Sequence, residues 1–390
     1  MSEKPIIIIG AGPSVLMAAQ KLAEKGYKVQ VYEQNKAAAR KFLVAGHGGF
    51  NLTHSESIDS FVEKYDSVEI QEIVRYFDNQ ATIQWLSEIG IETYVGSSGK
   101  IFPAKHIKPI QVLKAWLLHL ENLGVEIHYE HIFVDFNENN AHIKKEDQLL
   151  EIPYSKLIIA LGGGSWKKTG SDAKWITLFQ QKNIKINTLQ PANSGYNTGD
   201  KFHQFEGQFI KNVEVSFHDK TKLGEIVFTN YGIEGSPIYY MNRFTRPFGF
   251  PNFIHLDLKP HLSELEISEV LDRGGNISSI LKNKLKLSST AINILRLLDK
   301  ETYTNPSILA KFIKKYPIEI LDFRPIDEVI STAGGICFSE LNKNLELKNH
   351  PNIYCAGEML DWEAPTGGYL LQACFSIGVW IADDITQKLN

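Results

Sequence analysis

Four consecutive isoleucines, Ile6–Ile9, run into Gly-Ala-Gly-Pro, after which Val15, Leu16, Ala19 and Leu22 recur at helical spacing until Gly26. The unbroken apolar run predicts a strand buried on both faces. The 3.6-residue period predicts a helix, closed by Gly26 in the position glycine favours beyond a C-terminus. "YKVQVYE" (27–33) adds a second strand, so the chain opens with a β–α–β unit. A glycine-rich loop, "ARKFLVAGHGGFNLTH" (39–54), comes next, and helical patterns near 69–89 and 107–124 flank the turn-rich "SSGKIFPA" (97–104). "VEIHYEHIFVDF" and "NAHIKKEDQLLEI" predict a β-hairpin laid over this first domain. "KLIIALGGGS" (156–165) predicts a wholly apolar strand ending in glycines.

From about 190 to 257 the pattern changes to short β segments broken by Gly, Asn and Pro, and from 261 to 316 it turns helical. "NIYCAGEMLD" (352–361) restores a buried strand, and "GGYLLQACFSIGVWIADDITQKL" (367–389) is a glycine turn opening a long helix. Strand–glycine–helix at both ends predicts an α/β protein whose Rossmann-like domain is discontinuous, over 1–190 plus 322–390. Between these lie a β-rich insert over 191–260 and its helical subdomain over 261–321. A length of 390 residues suits two or three domains better than one core.

Charge narrows the partners. With 41 basic and 45 acidic residues and a net charge of −4, nothing favours nucleic acid or anionic lipid electrostatically. The densest basic stretch, "LKNKLKL" (281–287), alternates lysine with apolar residues as a solvated face does. No apolar run approaches the roughly 18 residues of a membrane span, and the N-terminus enters a strand without a leader pattern, so a cytoplasmic protein is expected. Cys337, Cys355 and Cys374 form neither a CxxC pair nor a metal spacing, so neither a metal centre nor a cysteine-pair electron relay is expected.

The chemistry begins at the first turn. In G-x-G-x-x-G the first glycine makes the tight turn, the second admits a pyrophosphate to the backbone, and the third lets helix and strand pack closely. Gly10 and Gly12 are present, whereas Val15 holds the third position, which does not face the ligand. Glu33, ending the second strand, is placed to accept ribose hydroxyls and to repel a 2′-phosphate, which disfavours NADP in this slot. A degenerate nucleotide fold without ligand is the alternative reading of such an incomplete fingerprint.

Further segments resemble those of two-dinucleotide-binding-domain flavoproteins. "KLIIALGGGS" resembles their second glycine-ended strand, "NIYCAGEMLD" the late strand that reaches the ribityl chain, and "APTGGYLLQACFSIG" a helix whose N-terminal amides face the flavin pyrimidine. Taken with "GAGPSVLMAA", "ARKFLVAGHGGFNLTHSE", "GKIFP", "ALGGGSWKKTGSD" and "GEIVFTNYGIEGSPIY", the chain resembles the BaiN/RdsA-type family of FAD-dependent oxidoreductases, also called YhiN-like, from residue 6 to residue 380. The resemblance implies bound FAD, a discontinuous Rossmann-like FAD-binding domain, and a β-rich insert with a helical subdomain. Cofactor contacts are expected from Gly10, Ala11, Gly12, Pro13, Ser14, Glu33, Gln34, Arg40, Lys41, Gly46, His47, Gly48, Gly49 and Asn51. Later in the chain they are expected from Ala160, Leu161, Gly162, Gly357, Glu358, Asp361, Gly367, Gly368, Tyr369 and Leu370. Many members carry Gly-Gly-Gly-Arg-Cys-Asn in the early loop; here Gly49-Phe50 replaces the Arg-Cys, so the chain resembles a separate branch and no substrate is carried over.

With FAD supplying the redox chemistry, the protein has to position a small organic substrate and move a proton. His47, because histidine as a residue type can exchange a proton near neutral pH, and Tyr369 are the catalytic candidates, with His54, Glu363 and Tyr231 of the insert behind them. The resemblance implies hydride transfer through flavin N5, with NAD(P)H or another donor. A flavin-dependent RNA-modifying enzyme and a non-catalytic flavin-binding protein are the alternatives.

Overall fold

Ile6–Ile9 form β1, the centre of a five-stranded parallel sheet, and are at most 2% exposed. β2 (Val29–Glu33) and then β3 (Glu126–Tyr129) lie on one side of it; β4 (Lys156–Ile159) and then β5 (Ile353–Cys355) lie on the other. Ile6–Ile9 pair in register with Val29–Tyr32 and with Lys156–Ile159, so the two apolar runs of the sequence are adjacent central strands. This is a computed structural model, and it describes residues 4–44 and 49–389. The chain divides into two compact units, Met1–Gln190 with Ile330–Asn390, and Pro191–Val329.

In the first unit, α1 (Pro13–Glu24) begins with proline in its first turn, where the missing N–H costs nothing, and is buried from Ser14 through Gln20. Val15 is fully buried. The tight approach of α1 is made to the C-terminal helix, Tyr369–Leu389. A Cβ on Gly378 would stand 2.2 Å from the Ser14 carbonyl oxygen and 2.9 Å from the Ala18 nitrogen. Close packing in this chain therefore depends on a glycine of the partner helix. The far end of that helix is tied down by ions: Lys388 Nζ lies 2.7 Å from Glu346 and 2.8 Å from Asp384, and the Tyr354 hydroxyl donates to Asp384. Burial pushes the Glu346 carboxyl up, but the Lys388 ammonium and the Asn352 amide outweigh it and hold it below the usual range.

Two expectations change here. The helical pattern near 69–89 is two helices, Val68–Tyr76 and Asn79–Glu88, because Asp78 accepts from the Ala81 amide and starts a new helix. The expected hairpin is divided. Its first segment joins the parallel sheet as β3, while Ile132–Phe136, Asn140–Lys145 and Gln148–Pro153 form a separate antiparallel sheet.

The second unit is a closed six-stranded barrel of Tyr196–Thr198, Gly232–Glu234, Lys220–Phe228, Phe209–Phe217, Asn252–Asp257 and Tyr316–Phe323. Helices fill 264–314, and their Ile267, Leu309 and Ile313 share one hydrophobic core with Ile254, Leu256 and Ile318 of the barrel. The helices are thus no separate subdomain, and the chain returns to the first unit at Ile330 rather than at 322, because Tyr316–Phe323 is a barrel strand. Among the described residues no helix is long and apolar enough to cross a membrane.

Restoring the fingerprint glycine should harm the fold: Val15→Gly removes a buried side chain and adds a helix glycine, a loss of about 3 kcal/mol in urea unfolding. Gly378→Ala should also lower stability, although alanine in an open helix gains about 0.5–1 kcal/mol over glycine. For Glu346, whose folded pKa is lowered, the stabilising contribution is present above the ordinary carboxyl value and lost as pH falls through the lowered one. Glu346→Gln should therefore lower Tm at pH 7, with the gap to wild type closing on acidification.

Candidate functional site

The chain leaves β1 for β2 on one side and returns through β4 on the other, which opens a crevice at the carboxyl ends of the strands. Loops following β1, β2, β4 and β5 line a cavity there of about 320 Å³. Gly10 makes the turn after β1 with φ +91°, and a Cβ on it would stand 2.3 Å from the Ala160 carbonyl oxygen, so no other residue fits between the two central strands. Gly12 is different. Its φ is −83°, a Cβ would meet no atom within 4 Å, and no side chain caps the helix that starts there. The protein itself does not require glycine at this position, but a ligand drawn against the bare helix N-terminus does.

Glu33 sets the turn. The residue is 7% exposed, and its carboxylate accepts from the Ala11 amide at 2.9 Å, and from the Asn35 amide and side chain at 2.8 and 2.6 Å. Arg40 donates to Asn35 at 2.9 Å on the rim. On the opposite wall Lys41 Nζ lies 2.7 Å from both Glu358 and Ser165, and Glu358 also accepts from the Thr332 amide at 3.0 Å. This node explains Gly163, whose Cβ would overlap Thr332 Oγ1 at 2.0 Å. Cys374 also lines the cavity; burial pushes its thiol up to about 12, so it stays protonated and is a poor nucleophile. Among the described residues no group of three or more His, Cys, Asp or Glu could hold a metal ion.

The residues read from the sequence fall into three sets. Gly10–Ser14, Glu33, Gln34, Arg40, Lys41, Ala160–Gly162, Gly357 and Glu358 come together on the cavity wall. Gly49, Asn51, Asp361, Gly367, Gly368, Tyr369 and Leu370 do not line it. Gly46, His47 and Gly48 lie outside the described residues.

In the second set, Gly368 lies so close to Thr53 that a Cβ would stand 2.5 Å from its carbonyl, and Asp361 accepts from Asn187 at 2.6 Å. Asn51 Nδ2 is buried with no hydrogen-bond partner among the described residues. The Tyr369 phenol donates to Glu56 at 2.6 Å with the His54 ring stacked beside it, and burial and then that carboxylate push its pKa well up. That hydroxyl is committed to Glu56 rather than presented to the cavity. Glu363 pairs through its backbone with Asp66. Tyr231, in the second unit, donates to Glu234 at 2.7 Å beneath the Arg324 guanidinium. Sequence reading passed over His131, Phe133, Ser171 and Trp175, all on the cavity wall. Extending the carboxyl-end rule past β3 and along the loop after β4 would have found them.

A family model, HI0933-like protein Rossmann domain, matches residues 4–384. The chain is 24% identical to 3-dehydro-bile acid delta(4,6)-reductase of Clostridium scindens, over 95% of this chain and 96% of the relative. It is 23% identical to ribosomal RNA dihydrouridine synthase of Haemophilus influenzae, over 98% of each. Its fold is similar to that of 3-ketosteroid-delta4-(5alpha)-dehydrogenase from Rhodococcus jostii RHA1, at TM-score 0.53 and 13% identity, over 97% of this chain and 96% of that one.

Gly12→Ala should leave the Tm of the ligand-free protein within about 1 °C of wild type yet weaken dinucleotide binding at least tenfold in calorimetric titration. Gly10→Ala should lower Tm sharply, since the added methyl meets backbone.

Proposed function

We propose that this chain, which belongs to the HI0933-like Rossmann family, is an FAD-dependent oxidoreductase that saturates a carbon–carbon double bond conjugated with a carbonyl group. The observation that carries the cofactor is Gly12: an uncapped helix start fronted by open space, beside a buried carboxylate at the end of the next strand. Bound there, FAD supplies reversible two-electron hydride transfer, which no side chain of the protein can provide.

The protein's part is binding and orientation. The turn Gly10–Ser14 offers backbone amides and the partial positive charge of α1 to the pyrophosphate. With both Asn35 bonds on Oε1 and the Ala11 bond on Oε2, Glu33 keeps one lone pair, on Oε2, for a ribose hydroxyl, and its charge disfavours a 2′-phosphate. Gln34, Arg40 and Ala160–Gly162 flank the adenosine, while Gly357 and Glu358 serve the ribityl chain with Lys41 neutralising Glu358. Gly49, Asn51, Asp361 and the Gly367–Leu370 turn lie off this cavity, and we assign them no contact with the cofactor.

Two relatives support the substrate class. A 3-dehydro-bile acid delta(4,6)-reductase and a dihydrouridine synthase differ in the size of their substrates, but both names describe saturation of a double bond adjoining a carbonyl. A small organic acceptor is the reading we adopt. The second unit carries 17 basic and 17 acidic residues, so it offers no cationic surplus for an RNA backbone. Uridine in RNA is the second reading, favoured by the Haemophilus relative.

Purified protein should be yellow with about one FAD per chain and should be bleached anaerobically by NADH or NADPH. Colour should return on adding a 3-keto-4-ene steroid or a simpler enone. Recovery with uridine-containing ribosomal RNA alone would select the second reading, and protein that stays colourless after incubation with FAD would overturn both.

A further inference from the structure

We infer that Lys41 supplies a counter-charge to the pyrophosphate of FAD and that Glu358 holds that charge in check, an inference that rests on the cofactor reading above. A pyrophosphate linkage is dianionic, yet the charged side chains on the cavity wall cancel: Arg40, Lys41 and Lys174 stand against Glu33, Asp172 and Glu358. Two of these cations are turned to water. Arg40 donates to Asn35 on the exposed rim, and the Lys174 side chain is 85% exposed beside Asp172. The Lys41 side chain is 27% exposed, and a charge acts more strongly where less water screens it.

The chain on both sides of the Lys41–Glu358 pair is tied to the Gly10–Ser14 turn. Ala39, two residues before the lysine, donates its amide to the Ala11 carbonyl at 2.9 Å. Its φ of +51° bends the chain into the short helix Arg40–Val44 that carries Lys41. From the other strand, Gly357 packs on Ser14, where a Cβ would stand 3.3 Å from the serine Oγ. The next residue is Glu358. Its Oε2 accepts from Lys41 Nζ at 2.7 Å, while its Oε1 accepts from the Thr332 amide at 3.0 Å. The buried Ser165 hydroxyl takes a second N–H of the lysine at 2.7 Å. An ammonium has three N–H groups, and the third has no partner among the described residues. It is the donor this wall has left for an anion in the cavity.

Glu358 is then a brake as well as a partner. Its carboxylate competes for the ammonium and repels a phosphate, so the pair binds a diphosphate less tightly than the lysine alone would. Removing the two charges has opposite effects on such a ligand. A pair that merely braces the wall would weaken binding whichever member is lost.

The test uses full-length protein stripped of cofactor and titrated calorimetrically with ADP, which carries the diphosphate but no ribityl chain. Lys41→Met should weaken ADP about tenfold, and Glu358→Gln should tighten it about threefold. Adding Lys41→Met to Glu358→Gln should again cost about tenfold, because no carboxylate is then left uncompensated. Glu358→Gln that leaves ADP affinity unchanged or lowers it would overturn the inference, and this arm decides alone should Lys41→Met fail to fold. A double variant that binds ADP as tightly as Glu358→Gln would also overturn it, leaving Lys41 only a neutraliser of Glu358. Wild type that binds neither ADP nor FAD would instead overturn the cofactor reading, and this inference with it.

Discussion

A single buried carboxylate organises this protein's cofactor end. Glu33 closes β2 and turns inward to accept three N–H groups, one from the turn after β1 and two from Asn35. An ionised carboxylate is tolerated at 7% exposure only when such donors replace its water. The bond to Ala11 fixes the amides of the glycine turn, and the bonds to Asn35 fix the segment on which the loop after β4 rests. The open space at Gly12 follows the turn that this carboxylate holds.

The missing third glycine shows that the fingerprint combines two separable demands. One is access: the backbone at Gly12 must be bare where the ligand comes, and a Cβ there would meet no atom within 4 Å. The other is packing behind the turn, which can be met by either side of a helix contact. Val15 fills the core on one side, while Gly378 of the C-terminal helix gives way on the other. A substitution inside a motif is therefore read best against the element it packs on.

Much of the first unit was legible because its signals are local. The isoleucine run, the glycine turn and the apolar strand 156–159 each carry their own period, and they are the central strands. Elements decided by distant partners were less legible. Glu126–Tyr129 looks like half of a hairpin until β2 offers it an edge, and 316–323 gives no sign that it closes a barrel. At the site, the fingerprint residues reached the cavity, whereas Tyr369 turned to Glu56 and Asp361 to Asn187, partners far away in the chain. Ser171 and Trp175 were passed over for a related reason: their loop reaches the cavity because Gln34 and Asn35 hold the segment before it, which no spacing encodes.

The claim most exposed to test is that the turn described here, with Val15 in the core and Ala11 bonded to Glu33, is already the binding form. A crystal structure of the protein grown with FAD examines it directly. The expected result is a pyrophosphate resting on Gly10–Ser14, a ribose at Glu33, and the Ala11–Glu33 bond intact. A cofactor bound elsewhere, or a turn rebuilt with Val15 driven out of the core, would contradict it.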